Sequence, residues 1–163
     1  MANQQTTEFA VLEASPPGIA ARQLVGAKIV KTSGVFDWVD PSDTDTLQIC
    51  RVPVDSNLLS LKLGYEDFGT TLTVQIGFYK VGDPGGVIDI NAIGVDLAFG
   101  TATTGMVEQR YLTQNIDTVG EFMWELANLA DRPSYEEMDI VLTVTVETSA
   151  VTKAIAWIIE YTL

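Results

Sequence analysis

Between residues 46 and 81 the chain reads TLQICRVPVDSNLLSLKLGYEDFGTTLTVQIGFYKV, and apolar side chains recur at every second position. Leu59, Leu61, Leu63 and Tyr65 alternate with Ser60, Lys62 and Gly64. Leu72, Val74, Ile76 and Phe78 alternate with Thr71, Thr73, Gln75 and Gly77. Successive strand residues point to opposite faces, so a period of two predicts strands with one apolar and one polar face. Such a sheet must cover its apolar side with a second layer. The stretch therefore reads as three consecutive strands, near 46–54, 57–66 and 70–81, with 66–69 as a hairpin connection. It carries no catalytic signature.

The flanking sequence continues the pattern. Residues 25–32 (VGAKIVKT) predict a strand with Val25, Ala27 and Ile29 on one face, and VFDWVD can prolong it. Further strands are expected near 93–100, 106–112, 135–147 and 153–163, and Ile155, Trp157, Ile159 and Tyr161 mark one face of the last. One helix is expected near 118–130, where Thr118 can cap, Glu121 follows at capping-box spacing, and Phe122, Leu126 and Leu129 share a face. Eight or so strands without a βαβ alternation predict an all-β, antiparallel two-sheet sandwich. A jelly roll is one form of it, and a closed barrel is the alternative.

The first 24 residues differ from this body, which is taken as 25–163. MANQQTTE is polar, FAVLEA is a short apolar patch, and Pro16-Pro17-Gly18 interrupts any regular element. The segment reads as an extended arm draped over the body or over a neighbour, with Phe9, Val11, Leu12, Pro16 and Pro17 as its contact residues. The alternative is a frayed terminus with one edge strand.

Charge narrows the classes of partner. Nine basic residues against 22 acidic ones give a net charge of −13, so nucleic acid phosphates and anionic membranes would repel the chain. A hydrophobic fraction of 47% is ample for a core, which argues against global disorder. No basic leader precedes an apolar run, and no 18-residue apolar stretch predicts a membrane helix, so synthesis in the cytosol is expected. Cys50 is the only cysteine, which precludes an intrachain disulfide, and its apolar context predicts a small buried hydrophobe.

Candidate chemistry is sparse. The absence of histidine removes the commonest general base and metal ligand, and there is no nucleophile elbow, phosphate loop or CxxC pair. No cofactor is expected, and the chain does not read as an enzyme. Asp40, Asp43 and Asp45 crowd one loop with oxygen ligands suited to Ca²⁺. Their D-x-x-D-x-D spacing lacks the following Gly and distant Glu of an EF-hand, so a solvated acidic turn is the stronger reading. Trp38, Trp124 and Trp157 could form a sugar platform, but their apolar contexts place them in the core first.

The order of signals is more distinctive than any one of them. An acidic turn precedes TLQICRVP, then come NLLSLKL, YEDFGT and TLTVQIGFY; later VGEFMWELANL leads into SYEEMDIVLTVTVET and AIAWIIEY. Over most of residues 25–163 this resembles small virion proteins of tailed bacteriophages encoded beside the major capsid protein, namely capsid decoration (cement) proteins or head-fibre components. The resemblance implies a β-sandwich that binds the exterior of the capsid shell and stabilises it, with the major capsid protein as partner and a homotrimer as the self-assembly. It transfers no catalytic, cofactor or metal residues. The alternative function is a glycan- or receptor-binding module of a head fibre or adhesin.

Overall fold

The computed structural model describes residues 28–69, 71–82, 86–109, 120–147 and 151–163. Its strands are β1 (Ile29–Val39), β2 (Thr46–Pro53), β3 (Leu58–Tyr65), β4 (Thr73–Lys80), β5 (Val87–Ala98), β6 (Val107–Glu108), β7 (Glu137–Val146) and β8 (Thr152–Thr162). The helix α1 (Met123–Leu126) is a single turn. The strands form two four-stranded sheets, ordered β1-β8-β3-β6 and β2-β7-β4-β5. The first strand pairs with the last, the second with the seventh, the third with the sixth and the fourth with the fifth, all antiparallel. That is one long antiparallel ribbon folded back on itself and wrapped into a barrel-like sandwich, with β3·β8 and β4·β7 completing each sheet. The expected sandwich is therefore a jelly roll.

The wrapping corrects the first expectation about residues 46–81. The three strands exist, but none pairs with another: β2 and β4 belong to one sheet and β3 to the other. The 66–69 connection consequently crosses between layers instead of closing a hairpin. Both apolar faces turn inward, where Leu61, Leu63, Leu72, Val74, Ile76 and Phe78 are at most 1% exposed. On β3 a bulge between Leu58 and Ser60 shifts the phase by one residue. Leu58 is thereby fully buried and Leu59 only half-buried, the reverse of unbroken alternation.

Each end of the sandwich is closed differently. At the C-terminal end of β3, Tyr65 stacks on Phe99 with ring centroids 3.9 Å apart, and Phe68 meets Trp38 edge-on at 6.5 Å. At the other end α1 inserts Met123 and Leu126 into the core. This helix is shorter and later than expected. Asn57, 2% exposed, donates its side-chain N–H groups to the carbonyls of Gly120 (2.5 Å) and Glu121 (2.6 Å). Asn57 also bridges to Phe122 in strand fashion, while the Met123 N–H donates to the Ser56 carbonyl. Backbone drawn into these bonds cannot begin a helix at 118. The capping carboxylate is Glu125, which accepts from the Phe122 N–H at 2.7 Å, and Asn128 ends the turn at φ +55°. Thr118 lies outside the described residues.

Candidate interaction surface

β1 occupies the edge of its sheet, and its other side carries no strand among the described residues. It runs unbroken through Ser33-Gly34 and pairs residue for residue with β8 over its whole length. Gly34 leaves room there for the Trp157 ring, which a Cβ would approach within 2.3 Å and push aside. The even-numbered residues face the core, where Val30 packs against it and Trp38 is 6% exposed. The odd-numbered residues face solvent: Ile29 is 63% exposed, Val35 70% and Val39 65%. Phe36, although on the inner row, is still 45% exposed because nothing described flanks that edge. The sequence pattern puts Ile29 on a common face with Val25 and Ala27 but does not assign that face to solvent; Val25 and Ala27 lie outside the described residues. The missed signal was the phase of β8, whose inward Ile155, Trp157, Ile159 and Tyr161 oppose the even residues of β1.

The solvent face of this sheet is low in relief. In register, Val35 lies beside Ala156 of β8, which lies beside Gly64 of β3. Gly64, Ala154, Ala156 and Met106 help to line a shallow depression of about 260 Å³. Lys31 and Glu160 form an ion pair across β1 and β8 at 3.0 Å. An apolar strip bordered by charges can support a protein contact.

The other sheet carries a second depression, of about 250 Å³, lined by Gln48, Tyr79, Lys80, Asp139 and Val141. Two of its polar groups are held by neighbouring side chains. The Arg51 Nε–H donates to Asp139 at 2.8 Å, and the Tyr79 hydroxyl and Thr143 hydroxyl are hydrogen-bonded at 2.8 Å. The Asp139 carboxylate raises the Arg51 pKa above its usual value, chiefly through that hydrogen bond. Beside it, burial and then the Asp139 charge push the Cys50 thiol up to about 11. Cys50 is half-buried, not fully buried, and a thiol so shifted is a poor nucleophile at neutral pH.

The remaining sequence candidates are placed as follows. The Asp45 carboxylate accepts the Ser42 N–H at 2.8 Å and so braces its own turn. Among the described residues no three His, Cys, Asp or Glu side chains gather into a metal-binding group, so Asp40, Asp43 and Asp45 are not brought together as ligands. Glu66 accepts the Ala154 N–H at 3.0 Å, tying the 66–69 crossing to β8. Trp38 is buried, and Trp124 and Trp157 are half-buried against the core, with the Trp124 ring near-parallel to Phe122 at a centroid distance of 6.4 Å. Phe9, Val11, Leu12, Pro16 and Pro17 lie outside the described residues. No helix among the described residues is long and apolar enough to cross a membrane.

No protein-family model matches the chain, and no curated protein matches it in sequence. Solved structures do share its architecture. A chain of the capsid of Ralstonia phage GP4 superposes with a TM-score of 0.54 at 19% identity, over 82% of this chain and 84% of that one. A chain of the infectious bursal disease virus Gx strain gives 0.51 at 10% identity, over 84% of this chain but 33% of that longer one. A chain of the cyanophage Pam1 capsid asymmetric unit gives 0.47 at 15% identity, over 85% and 87% of the two chains. Identities this low establish the fold alone.

Proposed function

We propose that the chain is a structural protein of a tailed-phage virion that binds the exterior of the capsid shell and reinforces it without catalysis. The observation that carries this reading is the end-to-end likeness to a chain of the Ralstonia phage GP4 capsid, which spans more than four-fifths of both molecules. A jelly roll alone hosts many functions, so the surface has to agree as well. In its support, β1 presents an apolar edge that no strand among the described residues pairs with, and such an edge is suited to a protein partner.

In this role the major capsid protein is the partner, and the chain assembles with itself as a trimer at local three-fold positions. The segment 1–24 serves as an assembly arm, with Phe9, Val11 and Leu12 as its apolar contacts. Contacts made only to the assembled shell stabilise that shell by mass action. A surface bearing a net charge of −13 keeps the exterior of a particle soluble and is ill suited to hold packaged DNA. The test is co-sedimentation of the purified chain with expanded shells lacking it. Saturable pelleting and a raised temperature of shell disruption are expected; a chain left in the supernatant with shell stability unchanged would overturn the proposal.

A further inference from the structure

Parity along β1 determines what its free edge can accept. The Asp40 N–H donates to the Val151 carbonyl and the Leu163 N–H to the Lys28 carbonyl, both in the register of the β1·β8 ladder. In an antiparallel ladder the residues that exchange such bonds alternate, so even-numbered residues of β1 direct their backbone groups to β8. Odd-numbered residues, 29 through 39, direct theirs to the open edge. Those same residues carry the solvent-facing side chains Ile29, Lys31, Ser33, Val35, Asp37 and Val39. An incoming strand would thus find backbone donors and acceptors and an ordered side-chain row at the same positions.

We infer that β1 is a homotypic docking edge, pairing antiparallel with β1 of a second copy about a two-fold axis at Gly34. Gly34 is the midpoint of the 11-residue strand, so this register overlaps β1 completely. It sets Lys31 opposite Asp37 of the second copy and Ile29 opposite Val39, and the two-fold repeats each pair. Val35 falls opposite Ser33, and Phe36 covers Thr32 on the inner row. Sliding the axis by one residue along β1 keeps the backbone parity but breaks both charge pairs and leaves part of the strand unmatched. Opposite charges directly across a ladder are favourable and like charges unfavourable, so the charge pattern selects this register. A two-fold contact must be self-complementary, and this row of side chains is. Natural edge strands of this length are usually blunted by bulges, proline or charged side chains; β1 has no bulge or proline, and its edge charges Lys31 and Asp37 are of opposite sign, so in this register they attract.

The contact is small. A paired edge of this length covers on the order of 400 Å² per copy, about half of a standard interface. Pairing is therefore reversible in free solution and strengthens where copies are held close together. It does not depend on the capsid reading, because it can be measured on the free chain.

The test is sedimentation equilibrium of the full chain up to about 1 mM, where weak association is measurable. The expected result is a reversible doubling of whatever unit exists at low concentration, monomer or trimer. Ser33→Pro removes an edge N–H that β8 does not use; it is expected to keep the thermal midpoint and abolish the doubling. Lys31→Asp and Asp37→Lys each place two like-charge pairs in the contact and should weaken it about tenfold; Lys31→Asp also breaks the ion pair with Glu160 inside each copy, so Asp37→Lys, which leaves that pair intact, is the decisive single variant. The double variant restores opposite pairs and should recover the affinity. A chain that never doubles overturns the inference, and so does a doubling indifferent to Ser33→Pro and to the charge exchange. Doubling lost only on deletion of residues 1–27 also overturns it and assigns the contact to that segment.

Discussion

Gly77 shows how one side chain governs the course of a strand. A Cβ there would come within 2.0 Å of the Asp89 carbonyl oxygen, because the start of β5 crosses close over β4. Between Ile76 and Phe78 the partner strand advances from Gly94 to Asp89, and within this irregularity the Ile90 backbone lies over Gly77 and Ile93 is fully buried. Gly77→Ala must displace backbone and is expected to cost about 3 kcal/mol, read as a lower urea midpoint. Gly34→Ala meets only the Trp157 ring, which can tilt, and should cost less, on the order of 1 kcal/mol. Cys50 offers a test through pH. Its thiol is raised from 9.0 to about 11 in the folded chain, so folding favours the protonated form. That contribution is whole below pH 9, and it is lost as pH rises through about 11. Tyr65, Tyr135 and Tyr161 shift upward as well, so the measurement is the difference between wild type and Cys50→Ala. The wild type should lose more stability over that interval, and its thiol should resist alkylation at pH 8 in the folded state.

Among the elements, the short helix depends most on a single residue. Asn57 holds the strand-like 120–122 backbone that precedes α1, and its own N–H donates to the Thr162 hydroxyl at 3.2 Å. Asn57→Ala orphans two carbonyls in a largely buried place and should cost about 2–3 kcal/mol. Asn57→Asp, which aims a carboxylate at those carbonyls, should cost more; amide exchange over 120–129 should accelerate before that of β7 or β8. The strands themselves were legible because a period of two survives in the sequence. Their phase was legible except at bulges, and at β3 one extra residue exchanged the roles of Leu58 and Leu59. The helix was legible as an apolar cluster but not in its start, because the bonds that displace it come from Asn57, 63 residues earlier in the case of Gly120.

For the whole molecule, the jelly roll follows from pairings that join the ends of the chain to each other, such as β1 with β8. Local alternation cannot encode those partners, which is why residues 46–81 looked like one sheet when they contribute to two. The exposed row Ile29, Val35 and Val39 was hidden for the same reason: apolar residues on a period of two look identical whether they face the core or an assembly partner. The acidic candidates were legible only as turn residues, and the structure gives Asp45 and Glu66 turn-bracing roles. The most direct test of the proposed capsid role is a cryo-EM map of phage particles assembled in the presence of the chain. This jelly roll is expected as ordered density on the outer surface of the shell, in contact with the major capsid protein. Particles that lack the chain altogether, or that carry it only inside the shell, would contradict that role.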